Sequence, residues 1–299
     1  MSEVVKSLHL AVMCNDHATL AQLLTTASPA DINYQQDHKT EKTSHLILAL
    51  QKRHVECARL LLSHPSINVE LKDSSQMTAL HFAVRGGFSD LVQCLLINHN
   101  ANVNAKDFRG LPPLFYAAQN GNIEAVRLLL SDGRLQDVNA RCNGGDATVL
   151  MRACSSGYSE IVRLLLAHPK IDVNIKESRG YTALVHAVMI HYGGTERGHY
   201  ECVSMLLADA RVDVDIKTAD GRNVLACCCN DTVRSLLSKK RVFKSSSLPA
   251  TVPAPTLIVP KSLRAVHSAS NAPPEPTLSS THMRTVESKH EELHKEFER

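Results

Sequence analysis

The sequence predicts an all-α solenoid, a stack of helix-turn-helix units with projecting hairpin loops, followed by a C-terminal tail without a fold of its own. Three observations predict it. One leucine recurs along the chain, at Leu8, Leu46, Leu80, Leu114, Leu150, Leu184 and Leu225, with spacings of 38, 34, 34, 36, 34 and 41. A period of that size marks a row of stacked supersecondary units. Hydrophobic residues make up 43% of the chain but aromatics only 4%, with no Trp, so the core is built from Leu, Val, Ile, Ala and Cys, which suits thin packing between helices. After Leu237 the pattern stops, and Pro, Ser and Thr stay dense through Ser280; such a segment cannot bury enough apolar surface to offset the entropy of ordering it.

Residues 73–107 show a single unit. Leu80, Phe82, Ala83 and Val84 predict a short apolar helix, and Leu91, Val92, Cys94, Leu95 and Leu96 a second, with Gly86 and Gly87 between them. Thr78 and Ser89 stand where hydroxyls would accept from the free backbone N–H groups at the starts of the two helices. From Val103 to Gly110 an extended lead-in meets an Asp-x-x-Gly turn, so the chain reverses and a hairpin-like loop projects from the stack.

Thr78-Ala79-Leu80-His81, the Gly87 turn, the triplets Leu60–Leu62, Leu128–Leu130 and Leu164–Leu166, and Val103-Asn104-Ala105 together resemble ankyrin repeats. The resemblance covers roughly residues 8 to 237. It implies an ankyrin-repeat solenoid over 1–238, with six units starting near Lys6, Ser44, Thr78, Pro112, Thr148 and Thr182 and a truncated seventh at Asn223, whose second helix is expected to be short, Asp231 to Leu237. The His of the family's turn remains only as His9 and His81; Ile47, Phe115, Met151, Val185 and Ala226 replace it, and those units are expected to lose an inter-repeat hydrogen bond. The junctions at His64-Pro65-Ser66-Ile67, His168-Pro169-Lys170-Ile171 and Asp209-Ala210-Arg211-Val212 run one residue long, so the second helices there are expected to close less tightly. About seven extra residues within Met189–Arg197 read either as a binding loop on the exposed face or as a tolerated surface insertion, since loop-closure entropy grows slowly with length.

Charge and cysteine usage narrow the function classes. The formal net charge is +3; residues 1–238 carry 23 Lys and Arg against 24 Asp and Glu, and the tail 10 against 6. A near-neutral repeat block lacks the basic footprint that nucleic acid demands. The nine cysteines fall mostly at small apolar positions and read as reduced core thiols, which places the protein in the cytoplasm or the nucleus. The start MSEVVKSLHLAV does not read as a signal peptide, and no apolar stretch approaches the ~20 residues of a membrane span.

The tail divides into a basic, Pro/Ser/Thr-rich linker at 239–280 and an amphipathic stretch at 281–299. Lys239, Lys240, Arg241 and Lys244 read either as an import signal or as a basic cap on the last helix. Met283, Val286, His290, Leu293 and Phe297 stand at spacings 3, 4, 3 and 4, the seam of a short helix that forms against a partner. Residues His267–His282 have the Pro/Glu/Ser/Thr mix of rapid-turnover segments.

No catalytic, cofactor or metal site is expected. His186, His191, His199 and Cys202 are the best metal candidates, yet their spacing matches none that delivers tetrahedral convergence. Cys227, Cys228 and Cys229 are successive on a helix and point about 100° apart, so they cannot share one face. No phosphate loop, nucleophile elbow or zincin helix appears.

The ankyrin resemblance implies protein–protein binding through a concave groove of first helices and hairpin tips. The partner-binding candidates are Arg85, Phe108, Arg109, Leu111, Gln119, Asn120, Arg179 and Tyr181, because aromatic and Arg anchors concentrate binding energy. Phe108, Arg109, Arg179 and Tyr181 are expected on adjacent hairpins with Arg85 beneath and Leu111 exposed, and replacing Phe108 and Arg109 by Ala is expected to leave thermal unfolding unchanged. Asn104 and Asn174 resemble the ankyrin asparagines that an oxygen-sensing hydroxylase modifies, or else brace the hairpin backbone. The overall reading is a non-catalytic scaffold or adaptor. The alternatives are a regulator resembling the NF-kappa-B inhibitor family, against which stands the brevity of the segment before the first unit, and a ubiquitin-ligase substrate receptor, for which no C-terminal box pattern is present.

Overall fold

The computed structural model describes residues 2–38, 41–142, 146–189, 196–228 and 231–244. The expected linker beyond Lys244, the 281–299 helix, Cys229 and most of the Met189–Arg197 insertion lie outside them. Seven helix pairs follow one another among the described residues. They are α1 (Glu3–Met13) with α2 (His17–Leu24), then, after the short α3 (Pro29–Ile32) and a strand pair, α4 (His45–Gln51) with α5 (Val55–Ser63). Next come α6 (Ala79–Gly86) with α7 (Ser89–Ile97), α8 (Pro113–Gln119) with α9 (Ile123–Ser131), and α10 (Val149–Ser155) with α11 (Ser159–Leu166). The last two pairs are α12 (Ala183–Val188) with α13 (Glu196–Ala208), and α14 (Val224–Cys227) with α15 (Asp231–Lys244). The final helix continues seven residues past the expected Leu237, so that Lys239, Lys240, Arg241 and Lys244 fall within it.

First helices pack on first helices from α1 to α14, and second helices on second helices from α2 to α15, so the stack has two layers. Leu8, Leu46, Leu80, Leu114, Leu150 and Leu184 form the column between the layers and are all buried, whereas Leu225 is only partly covered at the end of the row. The core thiols behave as the sequence suggests. Cys57, Cys154 and Cys202 are buried, and burial pushes Cys57 up to about 11 and Cys202 to about 12, so the proton stays on.

Side chains at the N-cap start most first helices. Ser44, Thr148, Thr182 and Asn223 accept from the N–H three residues on, at 3.3, 3.3, 3.4 and 2.9 Å. At Thr78 the third helical residue, His81, reciprocates: its Nδ1 accepts from the Thr78 N–H at 3.1 Å, so Nε2 carries the proton and donates to the Leu111 carbonyl of the next repeat at 3.2 Å. Ser89 does not cap its helix. Phe88 occupies the N-cap of α7 and Ser89 is already inside it. The turn within each of the first five pairs passes through a left-handed residue, Gly87, Gly121 and Gly157 at φ of 75°, 72° and 67°, but Asn15 and Arg53 hold the same place at 57° and 63°. At Arg53 the β-carbon makes that conformation costly.

The first hairpin is a four-pair antiparallel ladder, β1 (Gln35–His38) on β2 (Glu41–Ser44), with Gln35 opposite Ser44; later hairpins reduce to single bridges, Lys72 with Thr78 and Arg141 with Thr148. Asparagine amides link successive units. Asn33, Asn104, Asn139 and Asn174 each donate to a carbonyl of the next unit (Ser66, Arg134, Lys170, Arg211) at 2.7–2.8 Å. Each also accepts one of its N–H groups (Asn68, Gln136, Asp172, Asp213) at 2.7–2.9 Å. Asn104 and Asn174 therefore brace backbone, the second of the two readings of those residues.

The long junctions are closed more firmly than expected. Asp209 Oδ1 accepts the Arg211 N–H at 2.9 Å and its carboxylate grips the Arg211 guanidinium at 2.6 Å, while Arg211 Nη2 reaches back to the Leu166 carbonyl of the preceding repeat at 2.8 Å. Asp132 and Arg134 repeat the device on the Leu96 carbonyl. At the His-Pro junctions, His64 Nδ1 and His168 Nδ1 accept the N–H two residues on. The extra residue is absorbed by a local side-chain turn.

Candidate interaction surface

The hairpin turn at 107–111 is built on a buried carboxylate. Asp107 Oδ1 accepts the N–H groups of Arg109 and Leu111 at 2.9 and 2.8 Å, and Oδ2 accepts the Tyr116 hydroxyl at 2.7 Å. Arg109 Nη2 donates to that hydroxyl at 2.9 Å, and its guanidinium lies 5.7 Å from the Phe108 ring. The Tyr116 phenol is held well in its protonated form, first by burial and then by Asp107, and its hydroxyl in turn favours the charged Arg109. Phe108 is 64% exposed, the most exposed large apolar side chain among the described residues. The Phe108 N–H donates to the Ser75 carbonyl at 3.0 Å, so the tip is anchored on the preceding hairpin.

Thirty-four residues before Tyr116 stands Phe82, and thirty-four after Arg152 stands His186, so Phe82, Tyr116, Arg152 and His186 share one register along the first-helix layer. The Arg152 guanidinium lies 5.5 Å from the Phe115 ring, and the His186 ring meets Tyr181 edge-on at 5.9 Å. Burial raises Glu177, the counterpart of Asp107, above the usual carboxylate range.

The expected site residues separate into two groups. Arg85, Phe108, Arg109, Gln119, Asn120 and Arg179 are exposed. Tyr181 is half-buried, with its hydroxyl 3.5 Å from Arg222 Nη2 of the next hairpin. Asn120 donates to the Arg85 carbonyl at 3.2 Å, which joins those two positions across a repeat boundary. Leu111 contradicts the expectation. It is 3% exposed, because its N–H and carbonyl are held by Asp107 and His81 and its side chain faces the core. Nor are the two tip pairs on adjacent hairpins: the turn around Asp146, closed by the Arg141–Thr148 bridge, stands between them. Arg109 is braced by the Tyr116 hydroxyl rather than free, so its replacement is now expected to cost some stability.

Tyr116 was missed because aromatic residues on a first helix read as core. The signal was there in the pairing of a polar-tipped aromatic with an Asp nine residues earlier. Arg53 and Arg152 were also missed. The metal candidates are otherwise employed: His199 is buried with Nε2 3.2 Å from the Ser155 carbonyl, and Cys202 is in the core, while His191 lies outside the described residues. Among the described residues no group of three or more His, Cys, Asp or Glu is placed to hold a metal, and no helix is long and apolar enough to cross a membrane.

The family profile for ankyrin repeats in three copies matches residues 8–107 and 107–177, and that for a single ankyrin repeat matches 179–219. The chain belongs to the ankyrin repeat family. Ankyrin repeats bind protein partners and are generally non-catalytic. Among solved structures this ankyrin repeat protein is similar to EF0377, an ankyrin repeat protein, at 24% identity and a TM-score of 0.57, covering 66% of this chain and 96% of that one. It is similar also to the ankyrin repeat domain of Bcl-3, a member of the IkappaB protein family, at 22% identity and a TM-score of 0.62, covering 78% and 97%. Both likenesses are of fold. No curated protein matches the sequence.

Proposed function

We propose that this ankyrin repeat protein is a non-catalytic scaffold or adaptor that holds a protein partner against its first-helix layer and hairpin tips. The observation that carries the reading is Phe108, a large ring at a tip fixed by a backbone bond to the preceding hairpin and by the Asp107 turn, and presented to solvent beside a braced arginine. An anchor already fixed in place loses little entropy when it enters a partner's pocket. Arg85, Gln119 and Asn120 on the helices, and Arg179 and Tyr181 on a later tip, extend the surface. The protonated core thiols support a reducing compartment, the cytoplasm with or without nuclear entry.

Affinity purification tests the reading with three proteins: wild type, Phe108→Ala, and a chain ending at Lys244. The expected result is a partner recovered by wild type and by the shortened chain but lost with Phe108→Ala at an unchanged melting temperature. Equal recovery by Phe108→Ala refutes the surface.

A further inference from the structure

The charges of the stack are sorted by layer. The first-helix segments 45–53, 79–87, 113–120, 149–156, 183–189 and 224–228 carry Lys52, Arg53, Arg85 and Arg152 but no Asp or Glu. Second helices α5, α7, α9, α11 and α13 carry a carboxylate in one register, Glu56, Asp90, Glu124, Glu160 and Glu201. Cations of the second layer are matched to these. Arg59 lies 3.7 Å from Glu56 and 3.9 Å from Asp90, Arg127 lies 3.4 Å from Glu124 and 3.8 Å from Glu160, and Arg163 lies 2.5 Å from Glu160.

Beyond α1, where Lys6 pairs with Glu3 at 2.9 Å, the first layer has no such matching. Among the described residues no carboxylate pairs with Lys52, Arg53, Arg85, Arg152 or Arg179. Arg53 lies 5.0 Å from the Phe88 ring and Arg152 5.5 Å from Phe115, contacts that fix a guanidinium without cancelling its charge. Arg152 Nε is buried and makes no hydrogen bond. The acids of the neighbouring turns are mostly engaged: Asp73 and Asp107 are buried and bonded to turn N–H groups, Asp107 also pairs with Arg109 at 3.7 Å, Glu177 is half-buried 3.9 Å from His186 and feels the charge of Arg179, and Asp220 grips Arg222. Asp146 is the exposed carboxylate left on those turns.

We infer that this surface, from Arg85 to the Arg109 and Arg179 tips, takes an acidic, extended polypeptide segment whose carboxylates supply the counter-charges the first layer lacks. The inference rests on the scaffold reading and names the chemistry of the partner. Packed helices stand about 8–10 Å apart, so the three steps from α6 to α12 span roughly 30 Å, about nine residues of extended chain. Nucleic acid fits less well. Its charges come about every 1.7 Å along the duplex axis, whereas these cations are separated by the neutral Gln119, Asn120, Ser155 and Ser156.

Fluorescence anisotropy with the full-length protein tests it, using a labelled peptide of alternating Glu and Gly of that span and the same peptide with Gln for Glu. The expected result is binding of the Glu peptide and not of the Gln peptide, weakened about tenfold by Arg85→Gln with Arg179→Gln and unaffected by Arg59→Gln with Arg127→Gln on the second layer. Three results overturn it: no binding of the Glu peptide, equal weakening by both double variants, or tighter binding of a single-stranded DNA of equal span. Should the Glu peptide fail while Phe108→Ala still abolishes partner recovery, the scaffold reading stands and only the acidic partner is lost.

Discussion

The Tyr116 hydroxyl donates to the buried carboxylate of Asp107 at 2.7 Å and receives Arg109 at 2.9 Å, so one phenol joins a first helix to the tip it supports. Tyr116→Phe keeps the ring and removes both bonds. It should lower stability by about 1–2 kcal/mol, since a buried carboxylate loses its donor. Urea unfolding checks this: the midpoint should fall at constant slope, and Phe108→Ala should leave the midpoint in place.

Acid should weaken the stack through His81. Its pKa is depressed to about 4, first by burial, against which the Leu111 carbonyl and Asp107 favour the charged form and Lys72 opposes it. Between the ordinary value near 6.5 and about 4 the unfolded chain takes up a proton that the folded one refuses, so stability is full above pH ~6.5 and falls with pH across that window, by up to about 3 kcal/mol from this group. His81→Gln should flatten the loss between pH 7 and pH 5 relative to wild type. An identical pH slope in the two proteins contradicts the assignment.

Two glycines separate backbone strain from crowding. Gly180 and Gly221 both sit at positive φ, 76° and 79°, but a β-carbon at Gly180 would stand 2.5 Å from the Ala219 nitrogen, while one at Gly221 meets nothing within 4 Å. Gly221→Ala should cost about 1 kcal/mol of left-handed strain. Gly180→Ala should cost distinctly more, because the Ala219 N–H donates to the Arg179 carbonyl at 2.9 Å and must move. Thermal melts of the pair rank them, and equal losses would falsify the crowding argument.

Asn139→Ala removes a donor to Lys170 and an acceptor from Asp172, the two amide bonds between the fourth and fifth units. Stability in a stacked array is a sum of unit and interface terms, so a weakened interface costs about 1–3 kcal/mol and lowers cooperativity. A shallower urea transition, with earlier amide exchange on one side of the junction, is the expected signature.

The repeat, its layers and the leucine column were legible because they rest on periodicity, which needs no knowledge of side-chain direction. The tips were read less well. Leu111 follows an Asp-x-x-Gly turn and so reads as exposed, yet Asp107 draws its N–H inward and the side chain follows into the core. The Asp209–Arg211 and Asp132–Arg134 clasps were invisible for a similar reason: an extra residue looks like slack until the carboxylate that closes it is placed in space. Arg53 and Arg152 escaped notice because a single cation on an apolar helix carries no pattern, and their meaning comes from the absence of acids on the first helices after α1.

At the boundary between the second and third units the amide series changes chemistry. Where the first, third, fourth and fifth units present Asn, the second presents Glu70, which accepts the Asn102 N–H at 2.7 Å but has no proton to give the facing carbonyl. Under a steady pull on the chain's beginning, the two leading units should therefore peel away together before any later seam yields, so that a force trace records a first, smaller rupture of that length.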